Sequence, residues 1–92
     1  MRSRLYVGNL SYLTMARTLR AAFAEVGRVV DVDIQYDAQG RSRGIAYVQM
    51  GTCGEAKAAI DALNGAELDG RPLRVDVAHQ RIPKRADGGN AA

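Results

Sequence analysis

The apolar residues of this chain switch between a period of two and a period near four, and the order of those switches leaves few folds open. Leu5-Tyr6-Val7-Gly8-Asn9-Leu10 reads as a short strand closed by a turn. Leu19, Ala22, Phe23 and Val26 then recur at helical spacing, with Thr14 as the expected N-cap and Gly27 as the expected left-handed stop. Residues 29–36 alternate: Val32, Ile34 and Tyr36 are expected on one side, Asp31, Asp33 and Gln35 on the other. Asp37-Ala38-Gln39-Gly40 is a turn signal extended by Arg41-Ser42-Arg43, and residues 44–50 form a third strand. Thr52, with Glu55 three residues later, makes a capping box for a second helix that buries Ala56, Ala59, Ile60 and Leu63 and ends at Asn64-Gly65. Asp69-Gly70 is expected to turn a tight hairpin between Glu67-Leu68 and a last strand over residues 73–78. In that strand Leu73, Val75 and Val77 should face inward, and Arg74, Asp76 and Ala78 outward.

Strand, helix, strand, strand, helix, strand is the split βαβ order. It predicts an α+β, ferredoxin-like βαββαβ domain: a four-stranded antiparallel sheet with both helices on one face. The other face is left bare. A bare sheet face should be polar, so any aromatic ring on it calls for an explanation. Leu5 and Val7 must point to the helices, which sends Tyr6 to the bare face. By the same parity Val48 and Met50 point inward, and Ile45, Tyr47 and Gln49 outward.

Other classes of function find little support. With one cysteine, Cys53, and one histidine, His79, the chain can form neither an internal disulfide nor a zinc site. No cofactor is expected. Gly51-Thr52-Cys53-Gly54-Glu55-Ala56-Lys57 superficially resembles a phosphate loop, but its spacing is wrong for one, and no catalytic constellation stands out, so an enzyme is not expected. No apolar run is long enough to cross a bilayer, and Met1-Arg2-Ser3-Arg4 runs straight into a strand, so no membrane partner and an intracellular setting, nucleus or cytoplasm, are expected. A formal charge of +3 is too small to identify a nucleic-acid binder by itself.

Two segments carry more. Leu5-Tyr6-Val7-Gly8-Asn9-Leu10 resembles the short ribonucleoprotein hexamer of the RNA recognition motif family, and Arg43-Gly44-Ile45-Ala46-Tyr47-Val48-Gln49-Met50 resembles its octamer. The loop from Asp37 to Gly44, Asn64-Gly65 and Leu68-Asp69-Gly70-Arg71 resemble further parts of that family, over residues 3–80 in all. The resemblance implies that the first and third strands lie side by side at the sheet centre, with Tyr6 and Tyr47 as stacking platforms for unpaired bases. It implies a phosphate contact for Arg43 and a monomeric domain whose partner is single-stranded RNA in post-transcriptional RNA metabolism. Arg4, Asn9, Arg41, Gln49, Arg74, His79, Arg81, Lys84 and Arg85 are the other expected contacts. Residues 81–92 are expected to form a flexible basic tail.

Departures from the family pattern temper the affinity expected. Ile45 stands where the octamer usually has an aromatic residue, so it offers a sugar or base edge an apolar contact and no π face. Asp31 and Asp33 on the bare face repel phosphates. Micromolar binding is the resulting expectation. A second resemblance points elsewhere. Tyr36-Asp37, Gly40-Arg41-Ser42-Arg43-Gly44 and Leu68-Asp69-Gly70-Arg71-Pro72-Leu73 look like the motif of the Aly/REF mRNA-export adaptors, in which helices or sheet face meet proteins and RNA contact is weak.

Overall fold

The computed structural model of the chain describes residues 3–78. Strand β1 (Arg4–Gly8) leads to helix α1 (Ala16–Ala24) and to the antiparallel pair β2 (Val29–Tyr36) and β3 (Ser42–Met50). Helix α2 (Cys53–Leu63) follows, then a small separate hairpin, β4 (Glu67–Leu68) with β5 (Arg71–Pro72), and the last strand β6 (Arg74–Val77). The main sheet has the order β2-β3-β1-β6 with every pairing antiparallel, the ferredoxin-like arrangement expected from the order of elements.

Strand parity builds the core. Leu5 and Val7 of β1 and Ala46, Val48 and Met50 of β3 are buried against Leu19 and Phe23 of α1 and Ala56 and Ala59 of α2. The small side chains on α2 let that helix lie close to the sheet, while Phe23 fills the space under α1. The last strand lies at the sheet edge, and local acceptors occupy its outward N–H groups. The Val75 N–H donates to Asn64 Oδ1 (3.0 Å) and the Val77 N–H to Asp76 Oδ1 (2.7 Å), which leaves a poor template for a further strand.

Thr52 caps α2 as its spacing predicts. Its Oγ1 accepts the Glu55 N–H (3.1 Å) and donates to Glu55 Oε1 (3.2 Å), while Glu55 Oε2 accepts the Arg28 N–H (3.1 Å). The carboxylate therefore ties the start of α2 to the loop before β2. The backbone bond from Arg28 holds the Glu55 carboxyl below its ordinary value of 4.5, with Thr52 and the Arg28 charge assisting and desolvation opposing. A depressed folded value stabilises the protein in full above 4.5, and the contribution disappears as pH falls through the lower folded value. Glu55→Gln is expected to flatten the acid limb of stability against pH. Urea midpoints measured from neutral to acid pH would refute this by keeping the wild-type slope in the variant.

Several local expectations change. Thr14 does not cap α1: Met15 is the N-cap residue and makes no side-chain bond, while the buried Thr14 hydroxyl donates to Asp69 Oδ2 (2.8 Å), a contact 55 residues away. A buried hydroxyl takes the acceptor within reach, and the charged one across the fold wins over the local cap. Helix α1 stops at Ala24, before Val26, and Gly27 is not among the residues with positive φ. Its lack of a side chain serves Glu55 instead, whose Cβ and Cγ lie 2.9 Å from where a Gly27 Cβ would stand.

A register shift between Ile34 and Tyr36 turns Tyr36 out of the alternation and leaves it 58% exposed. Asp69 and Gly70, both at positive φ, turn the hairpin as expected, but into β5; the last strand starts separately at Arg74. Ala78, just past the end of that strand and expected outward, is buried, and its N–H extends the pairing with β1 by donating to the Arg4 carbonyl (2.9 Å). No helix among the described residues is long and apolar enough to cross a membrane. The proposed tail over residues 81–92 lies outside the described residues.

Candidate nucleic-acid interface

On the sheet face away from the helices, β1 and β3 place Tyr6 and Tyr47 as direct cross-strand partners. The rings sit 6.1 Å apart between centroids at 65° to each other, an edge-to-face pair. Such a pair holds two rings in fixed, non-parallel planes. Two bases stacking on them would therefore be splayed apart. The Tyr6 ring lies along its own strand over Gly8: a Cβ at Gly8 would stand 2.7 Å from the Tyr6 hydroxyl and 2.9 Å from Cε2. The glycine two residues on, hence on the same face, is what lets the ring lie down.

Around the rings the side chains divide into held and open groups. The Arg4 guanidinium sits 4.8 Å from the Tyr47 centroid, a cation–π contact at the platform itself. Gln49, opposite Arg4, donates to Ser3 Oγ (2.6 Å) and to the Met50 carbonyl (3.2 Å). Ile45 is half-buried, and Arg43 and Arg74 are exposed, Arg74 standing opposite Gly8. Arg41 pairs with Asp37 at 3.4 Å.

Asn9, also expected as a contact, has bonding partners within the fold. It sits at φ +59, donates from Nδ2 to the Pro72 carbonyl (2.7 Å) and accepts from Arg71 Nη2 at Oδ1 (2.6 Å). Each end of its amide thus makes one bond that ties the end of β1 to β5, and the exposed side chain keeps a second N–H and a second lone pair. His79, Arg81, Lys84 and Arg85 lie outside the described residues.

Carboxylates line both flanks. Asp33 stands opposite Tyr47, Asp31 opposite Gln49, and Asp76 opposite Tyr6, so the central row across the sheet reads Asp33, Tyr47, Tyr6, Asp76. Asp76 was not expected as part of the site. The alternation of the last strand exposes it, but only the pairing of β6 with β1 brings it beside a ring. The two aromatics are thus bracketed by hydrogen-bond acceptors, with the cations Arg4, Arg43 and Arg74 on the same strands.

The family model of the RNA recognition motif matches residues 5–74. The chain belongs to that family. Within this recognition motif the matched stretch contains both tyrosines and the octamer that begins at Arg43. The chain is 46% identical over 84 residues to the 29 kDa ribonucleoprotein B, chloroplastic, of Nicotiana sylvestris, covering 90% of this chain and 28% of that protein. It is 47% identical over 87 residues to RbpA of Nostoc sp., named for RNA binding, covering 94% of this chain and 85% of that protein. Among solved structures it is similar to a chain of the Sxl-lethal protein/RNA complex, with a TM-score of 0.78, 37% identity, and coverage of 83% of this chain and 47% of that one. The recognition motif thus spans under a third of the length of the chloroplast relative and most of the cyanobacterial one.

Proposed function

We propose that this recognition motif binds single-stranded RNA across its open sheet face, as a monomeric module of post-transcriptional RNA metabolism inside a cell or organelle. The observation that carries the reading is the register pairing of Tyr6 with Tyr47 on the two central strands. Each ring that takes a base contributes about 1–3 kcal/mol. An exposed cation–π contact such as Arg4 on Tyr47 is worth about 0.5–1 kcal/mol. A base therefore displaces the guanidinium from the ring, and the freed cation meets a phosphate. Arg43 and Arg74 supply further phosphate contacts, with Arg41 weaker because Asp37 already holds it. Ile45 and Gln49 border the bases, and Asp31 and Asp33 keep the β2 side unfavourable to the backbone of the RNA. Related proteins named as ribonucleoproteins and a similar chain solved in an RNA complex support the same partner. Two paired rings beside three cations suit stacked bases and their phosphates, and on that ground favour RNA over a module that serves only as a protein adaptor. The chain acts by binding, and catalysis forms no part of the reading.

Titration of labelled single-stranded RNA at several salt concentrations tests this. The logarithm of affinity should fall with the logarithm of salt at about −0.7 per phosphate engaged, hence about −2 for three contacts. Absence of binding, or binding indifferent to salt, would remove the arginines from the interface.

A further inference from the structure

Four residues along β3 from Tyr47, about 13 Å at strand rise, the sheet face ends at Arg43. Arg43 also lines a cleft of about 760 Å³ between the loop after β1 and the loop joining β2 to β3, together with Tyr12, Leu13, Tyr36 and Arg41. Tyr12 is 71% exposed and Tyr36 58%, and neither ring pairs with another aromatic among the described residues. Core packing does not account for two large rings in solvent on the walls of one cleft.

Both walls are fixed before any ligand arrives. The Leu13 N–H donates to Ser11 Oγ (3.2 Å), and the next residue, Thr14, is anchored to Asp69, so the Tyr12 loop is tied at both ends. The Tyr12 ring edge lies against the strand, 3.6 Å from the Cβ position that Gly44 leaves empty. On the other wall Asp37 Oδ1 accepts the N–H groups of Gln39 and Arg41, both at 2.9 Å, and Oδ2 faces the Arg41 guanidinium. The one carboxylate in the cleft is therefore consumed by its own loop. Arg43 forms no ion pair among the described residues and leaves the cleft net positive.

We infer that this cleft is a further nucleotide subsite, in which a base of the same RNA strand stacks on Tyr12 and its phosphate meets Arg43. The inference rests on the RNA-binding reading of the sheet face and extends it around the end of β3. The volume suits one base with its sugar, since small-ligand sites run from about 300 to 1,000 Å³. Arg43 belongs to both surfaces, so a strand leaving the Tyr47 platform reaches the cleft without crossing a carboxylate-lined edge. A planar π system flanked by a guanidinium fits a nucleotide on both counts, and the preformed loops reduce the ordering cost of holding it.

The test uses homopolymeric RNA decanucleotides, one for each base, on the whole chain. With the decamer bound most tightly by the wild type, Tyr12→Ala is expected to weaken binding about tenfold, and Tyr12→Phe, which keeps the ring, to retain wild-type affinity. A decamer offers the same number of registers to each variant, so the ratio isolates the cleft. Because Tyr12 is mostly exposed, the fold should persist, and circular dichroism checks it. Unchanged affinity for Tyr12→Ala, or equal losses for the Ala and Phe variants, overturns the subsite and leaves the sheet-face reading intact. Failure of the wild-type chain to bind any decamer overturns both.

Discussion

Replacing Tyr6 and Tyr47 together by alanine is expected to lower affinity for single-stranded RNA at least tenfold while the fold persists. Two base stacks lost amount to about 2–6 kcal/mol, and a tenfold change requires only about 1.4 kcal/mol. The residues that build the core from the same strands, Leu5, Val7, Ala46 and Val48, point the other way and are untouched. Loss of the edge-to-face pair itself should cost about 0.5–1.5 kcal/mol of stability, too little to unfold an ordinary domain. Tyr→Phe at both positions should bind nearly as well as wild type, because stacking needs the ring and not the hydroxyl. Measured by fluorescence anisotropy with circular dichroism as control, an unchanged dissociation constant in a folded double alanine variant would end the stacking account.

The second large effect is expected at Gly44. It sits at φ +76, and a Cβ there would stand 3.2 Å from the Leu10 carbonyl oxygen. Gly44→Ala forces an L residue into the left-handed region, at about 1–2 kcal/mol, and crowds a backbone atom that has little room to retreat. The Gly44 carbonyl meanwhile accepts the Leu10 N–H (3.0 Å), so the two segments are bound together at the point of crowding. The urea midpoint should fall by about 1–2 M, because the shallow denaturant dependence of so small a domain, about 1 kcal/mol per M, turns a loss of about 1–2 kcal/mol into a large shift. A chemically synthesised chain with D-alanine at this position relieves the backbone conflict and should recover most of the loss. Equal destabilisation by the two enantiomers would show that the positive φ is not the cause. The result bears on function as well, since Gly44 separates Arg43 from Ile45 and fixes how the arginine leaves the strand.

Whatever depends on alternation within one element was legible before any coordinates. Tyr6 and Tyr47 on one face, Leu5 and Val48 on the other, and the Thr52–Glu55 cap all follow from spacing along the chain. Contacts between distant segments were not. Thr14 reaches Asp69 over 55 residues, and Asn9 reaches Pro72 over 63, so the residue expected to cap α1 and the asparagine at the end of β1 both hold the β4–β5 turn region in place. Tyr36 left its expected face because a bulge shifts the register, which no periodicity announces. Tyr12 lies in a loop, where there is no period to read.

From its order of residues alone this chain determined its elements, the face of each that is buried, and the presence of two rings on the bare side of the sheet. The tertiary structure decided what the resemblance to a family had not already implied about lateral partners: the edge-to-face geometry of Tyr6 and Tyr47, Asp76 beside Tyr6, and Tyr12 and Arg41 on one cleft. The division has a physical cause. Backbone geometry sets a side chain's direction from its immediate neighbours, whereas its lateral partners depend on strand order, register and loop packing, which only the whole folded chain supplies.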